Sequence, residues 1–160
     1  MTTISVTRVD HVSYTVADID ASIAFWERFG FAPVNRYQAS GRELDAAVET
    51  KEADMDIQLL RRPDGYTLEL IRYTRQPTEP AARNSEVGAA HIGFVVDDIE
   101  RAYATLTAAG VRFLSAPNTD AYGEQWVYLR GPDEITVELM QPGESSQRAV
   151  APWQRKKEER

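Results

Sequence analysis

The chain holds two histidines, His11 and His91, and no cysteine. Disulfides, thiolate metal sites and cysteine nucleophiles are therefore excluded, and any metal ion must be held by imidazole, carboxylate, amide or water. Both histidines stand near the start of similar segments. VDHVSYTVADIDASIAFWERFGFAPV starts at Val9 and AAHIGFVVDDIERAYATLTAAGVRFL at Ala89, so that His11 matches His91 at an offset of 80 residues. Two glutamates match as well: Glu69 in PDGYTLELI, from Pro63, and Glu138 in PDEITVELM, from Pro132, at an offset of 69. Each sits in mid-strand between apolar residues, where a carboxylate is uncommon and costly to bury unpaired. A bound cation would remove that cost. Two neutral imidazoles and two carboxylates balance a divalent ion, and such a mixed set suits Zn, Ni, Co, Mn or Fe. Taken singly, a strand histidine is more often a hydrogen-bonded structural residue, and a strand glutamate is more often exposed or paired with Arg. The repeated placement favours the metal reading for His11, Glu69, His91 and Glu138 as a set.

The elements that must position these four residues are written twice. Val12, Tyr14 and Val16 alternate along a first strand, as do Ile92, Phe94 and Val96 in the second copy. Asp18 and Asp98 stand where a helix N-cap is wanted. Ile19, Ile23 and Trp26 recur at helical spacing, as do Ile99, Tyr103 and Leu106. Gly30 and Gly110 stand where a helix ends in a left-handed residue. Further strands are predicted over Asp56 to Leu60, Thr67 to Tyr73, Glu124 to Leu129 and Ile135 to Met140, with turns at Pro63-Asp64-Gly65 and Gly131-Pro132-Asp133. Each half reads as a βαβββ unit, and the fold class as α+β. The change of offset gives the first module 11 extra residues, most easily a longer hairpin loop around Ala39 to Ala53. Strand alternation then sends Val12, Tyr14 and Val16 toward the helix and His11, Ser13 and Thr15 away from it. Glu69 and Glu138 face away from the helices by the same alternation. Tyr14, Trp26, Phe94 and Tyr103 read as core. Trp126, Tyr128 and Tyr122 are candidates for a cavity wall.

The chain reads as one domain over residues 1–160, made of modules 6–73 and 89–142, a polar connector 74–88 and a charged tail 143–160 anchored by Trp153. With 18 basic and 25 acidic residues the net charge is −7, a poor match to a nucleic-acid backbone. No apolar run is long enough to span a membrane. The N-terminus lacks a signal-peptide pattern, which points to the cytoplasm. Arg61, Arg62, Arg72 and Arg75 cluster near the end of the first module. They suit an anionic group, although an ordinary solvated surface is the favoured reading.

The paired βαβββ units, the strand-one histidines and the repeated Glu-Leu strands resemble the vicinal oxygen chelate superfamily over Val6 to Pro142. This group includes glyoxalase I, methylmalonyl-CoA epimerase, extradiol dioxygenases, fosfomycin resistance enzymes and bleomycin-binding proteins. The order His11, Glu69, His91, Glu138 is similar to that of glyoxalase I and its relatives. The epimerases typically carry Gln where this chain has Glu69, and the dioxygenases use two His and one Glu. The resemblance implies an open eight-stranded barrel-like sheet around one divalent metal ion, a small carbonyl substrate and a homodimer. It implies proton abstraction next to a metal-chelated carbonyl, as in an isomerase, an epimerase or a glyoxalase-type lyase. Glu138 is the first choice of base and Glu69 the second, with Asp56 as a further carboxylate that could serve. An Fe(II) extradiol-type dioxygenase, with Glu69 not a ligand, and a small-molecule binding or resistance protein are the alternatives.

Overall fold

The computed structural model describes residues 4–76 and 84–143. The chain divides into two compact units, Met1–Pro80 and Ala81–Arg160. Most of the charged tail, with Trp153, and the middle of the connector lie outside the described residues.

The first unit runs β1 (Val12–Thr15), α1 (Ile19–Trp26), β2 (Ala32–Ser40), α2 (Arg42–Ala47), β3 (Asp54–Arg61) and β4 (Thr67–Tyr73). Its sheet has the order β1-β4-β3-β2, with β1 parallel to β4 and the other pairs antiparallel. The second unit runs β5 (His91–Val95), α3 (Ile99–Ala108), β6 (Arg112–Phe113), β7 (Asn118–Thr119), β8 (Gln125–Arg130) and β9 (Thr136–Gln141). Its order is β5-β9-β8-β6, with β7 also on β8.

Two expectations are corrected. The insertion in the first unit is not all loop, because Arg42–Ala47 forms α2 between β2 and β3. The strand expected after α3 is divided into β6 and β7, so the second sheet has five strands rather than four. Pro117 stands between the two pieces, and proline has no N–H to give to a ladder.

The helix ends follow their sequence signals. Asp18 Oδ1 accepts from the N–H groups of Asp20 and Ala21. Asp98 Oδ1 accepts from that of Arg101 at 2.9 Å. Each satisfies orphan donors of a first turn. Gly30 and Gly110 take φ of 79° and 80°, the left-handed conformation that stops the helix.

α1 and α3 each pack on one face of their own sheet. In the first unit Trp26 is fully buried. It stacks on Tyr14 with ring centroids 5.6 Å apart and meets Phe25, Phe29 and Phe31. Val16, Leu60, Leu68 and Leu70 complete that core. Val12 was expected inward, but it lies at the start of an edge strand and is exposed. In the second unit Ile99, Val127, Leu129, Val137 and Leu139 are buried, and Tyr103 packs on Phe113 with centroids 4.6 Å apart. Burying these alternate positions favours one strand register, because a slip of one residue would turn Leu60, Leu68, Leu70 and their counterparts away from the helices. The opposite face carries the other alternates: Glu69 among Ile57, Leu59 and Ile71, and Glu138 among Trp126, Tyr128 and Met140.

Candidate functional site

Sheet register brings a histidine and a glutamate together in each unit. In the first, Ser13 on β1 is the ladder neighbour of Glu69 on β4, and His11 lies two residues before Ser13, on the same face. His11 Nε2 is 3.3 Å from Glu69 Oε2. In the second, His91 opens β5 and Glu138 lies on β9, with His91 Nε2 3.4 Å from Glu138 Oε2. The carboxylates are deep, with side chains only 12% and 10% exposed, while the imidazoles are 37% and 47% exposed. All four residues thus fall into two pairs of the same geometry. Among the described residues no group of three or more His, Asp or Glu side chains is close enough to hold an ion; what each unit shows is a pair.

The pairs fit a cation. Metal bonds of about 2.0–2.2 Å to nitrogen and oxygen place neighbouring ligands on the order of 3 Å apart, which is the separation found in both units. The first pair is further prepared. Asp10 Oδ2 lies 3.2 Å from His11 Nδ1. The His11 imidazole, with Arg8 beside it, holds the Asp10 carboxyl below its ordinary value. An ionised Asp10 accepts, so Nδ1 carries a proton and Nε2 is the ring nitrogen turned toward Glu69 Oε2. Nε2 and the carboxylate oxygen are the two atoms that a proton or a metal cation would bridge.

The surroundings of the glutamates differ. Glu69 Oε2 accepts from Ser13 Oγ at 3.2 Å, and Oε1 accepts from the Tyr37 hydroxyl at 3.3 Å. Partial burial, and then the Glu69 charge, push the Tyr37 phenol above its ordinary value, so it stays a donor. Glu138 meets one polar partner among the described residues, His91. Tyr128 is its ladder neighbour on β8, and the Tyr128 ring stands edge-on to His91 with centroids 5.5 Å apart. Trp126 lies on this face too, opposite Met140. Tyr122 does not join them: it sits in the turn before β8 and is exposed.

Asp56 is placed away from this chemistry. It lies on the helix side of β3, bonded through both oxygens to Arg36, which also reaches Asp20. The arginine cluster disperses. Arg62 bonds Phe29 O and Asp64 and lies over the Phe31 ring, and Arg75 pairs with Asp54. Arg72 acts on Asp56. Arg61 alone is on the Glu69 side, with Nε 3.4 Å from Thr67 Oγ1. Sequence reasoning missed Tyr37, because β2 was not located. Alternation of Asn35 and Tyr37 through a polar stretch was the available signal.

A family model described as Glyoxalase/Bleomycin resistance protein/Dioxygenase superfamily matches residues 8–139. The chain is 32% identical to a 2-epi-5-epi-valiolone epimerase from an Actinomyces species, over 82% of this chain and 78% of that protein. A glyoxalase family protein from Bacillus cereus has a similar structure, with a TM-score of 0.75 and 25% identity over 89% of this chain and 99% of the other. The trypanothione-dependent glyoxalase I of Leishmania major shares the fold at a TM-score of 0.63 and 21% identity, over 96% and 99%.

Proposed function

The chain belongs to the glyoxalase/bleomycin resistance protein/dioxygenase superfamily, and we propose that it is a divalent-metal-dependent isomerase or epimerase moving a proton next to a carbonyl. The observation that carries this is the matched pair of His–Glu contacts at 3.3 and 3.4 Å. A deep carboxylate beside an imidazole nitrogen, placed alike in both units, offers one oxygen and one nitrogen donor to a cation. His11, Glu69, His91 and Glu138 are the proposed ligands, each pair giving one nitrogen and one oxygen donor. When bound, the ion supplies Lewis acidity that offsets negative charge developing on a substrate oxygen.

The chain's own residues do the rest. Asp10 fixes the His11 tautomer that presents Nε2. Glu138, with the fewest bonds to break, takes the proton from the carbon beside the carbonyl and returns it. The hydroxyl of Tyr128 and the ring of Trp126 line the same face and orient a small molecule. The 32% relative is named as an epimerase, which supports a proton-transfer activity over an oxidation. The barrel-like sheet and homodimer expected from the sequence belong to the same proposal, and light scattering on purified protein reads the second.

The test is exchange of substrate C–H for deuterium in D2O, followed by NMR on α-hydroxy ketones and acyl thioesters. Metal-loaded protein is expected to exchange the proton beside the carbonyl, and Glu138→Gln to slow exchange by roughly 10²–10⁴-fold. Oxygen consumption with a catechol and no exchange would overturn the reading in favour of a dioxygenase. Ligand binding that survives metal removal, again without exchange, would leave a binding protein.

A further inference from the structure

The two glutamates are matched by position but not by what holds them. Around Glu69, Ser13 Oγ binds Oε2 and the Tyr37 hydroxyl binds Oε1. Two donors on two different oxygens lock the last torsion of the side chain, because any rotation breaks at least one bond. Both donors come from strands of the same sheet, β1 and β2, on either side of the β4–β3 pair. They are therefore held by the ladder itself.

The second unit lacks both donors. Ser13 is matched by Gly93, the ladder neighbour of Glu138, and a Cβ built there would stand 2.8 Å from Met140 Cε. The space a serine hydroxyl would need is thus filled by a methionine methyl. Tyr37 faces Ile57 in its ladder; the matching position, facing Trp126, is Asn118. The Asn118 amide turns back on its own loop and donates to Ser115 Oγ and Ala116 O. Neither residue offers Glu138 a bond.

We propose that Ser13 and Tyr37 are positioning residues that clamp Glu69 in one conformation, while Glu138 keeps its freedom to move. The clamp stands on the contacts alone; its consequence for ligand binding rests on the proposed role of Glu69. It makes Glu69 a preformed oxygen donor and separates the two carboxylates into a fixed one and a mobile one. Supporting partners of this kind change metal affinity by about 10–100-fold when removed.

The test is NMR relaxation of the glutamate side-chain methylenes in metal-free, full-length protein, as wild type and as the Ser13→Ala/Tyr37→Phe double variant. Amide spectra serve to check that the variant is folded, and Tyr37→Phe alone provides a milder second variant. The expected result is a more rigid Glu69 than Glu138 in wild type, with Glu69 falling to the level of Glu138 in the double variant and Glu138 unchanged. Equal mobility in wild type, or a Glu69 that stays rigid without both donors, would overturn the clamp. Chelator competition with Co²⁺ is the second readout, and a loss of about 10-fold in affinity is expected for the double variant. If wild type takes up no Co²⁺, the metal reading fails while the relaxation result still decides the clamp.

Discussion

The first and second units perform the same placement with different materials. The first builds its core from Trp26 and the rings around it, and holds its glutamate with a serine and a tyrosine. The second builds its core from aliphatic side chains, with only Ile99 of α3 fully buried. It leaves its glutamate with an imidazole beside it and a glycine across the ladder. What the two share is the strand position of the histidine, the strand position of the glutamate and a separation of 3.3 or 3.4 Å between them. Where two copies of a plan diverge in core and in support yet keep one polar pair, the pair is what the fold is arranged around.

Several substitutions would break or sharpen this contrast. The largest effect is expected at the glutamates. Glu138→Gln should lower proton-exchange rates by roughly 10²–10⁴-fold with substrate binding retained, as befits loss of a base. Glu69→Gln should act chiefly through metal affinity, so that rate recovers as metal is added; equal, unrecoverable losses would erase the distinction. Next come the cores. Trp26→Ala should cost about 3–5 kcal/mol in urea unfolding, and Leu106→Ala, at the matching and only half-buried position, clearly less. The N-caps rank below these. Asp18→Ala removes two bonds and should cost about 1 kcal/mol, whereas Asp98→Ala, which removes one, should cost less by the same assay.

The smallest effect is a pH dependence confined to the first unit. Hydrogen bonds from Arg36, and its charge, hold Asp56 below the usual carboxylate range. A depressed folded value means that stability is present above the unfolded value of about 3.9 and is lost as pH falls through the folded one. The stability gap between wild type and Asp56→Asn should therefore shrink as pH drops below about 4, measured as urea midpoints. Gln125 holds the matching position in the second unit and gives no such limb.

The repeat made much of this legible. Histidine, N-cap aspartate, helix-ending glycine and strand glutamate each recur at matching positions; Asp18 and Asp98 cap their helices, and Gly30 and Gly110 end them in the left-handed conformation. Elements defined by polar residues were harder to read. β2 carries Asn35, Arg36, Tyr37 and Gln38, whose exposed alternation lacks an apolar stripe, so the strand and the Tyr37 contact stayed hidden. α2 escaped although Arg42, Glu43, Leu44 and Ala46 favour helix, because it is only six residues long, buries none of them and starts at a glycine without a side-chain cap. Asp56 and the arginines could be counted but not aimed, since pairing of charges across strands depends on register. Tyr128, a candidate for a cavity wall, lies on the Glu138 face of β8; Tyr122, the other tyrosine so expected, does not, because a turn carries it out to solvent.

The decisive measurement is the metal content of tag-free protein by mass spectrometry, for wild type, for the His11→Ala/Glu69→Ala variant and for the His91→Ala/Glu138→Ala variant. If both His–Glu pairs serve one divalent ion, wild type should carry about one equivalent per chain, and either double substitution should abolish it. Full occupancy surviving the loss of one pair, or no metal in wild type under any loading condition, would contradict that claim.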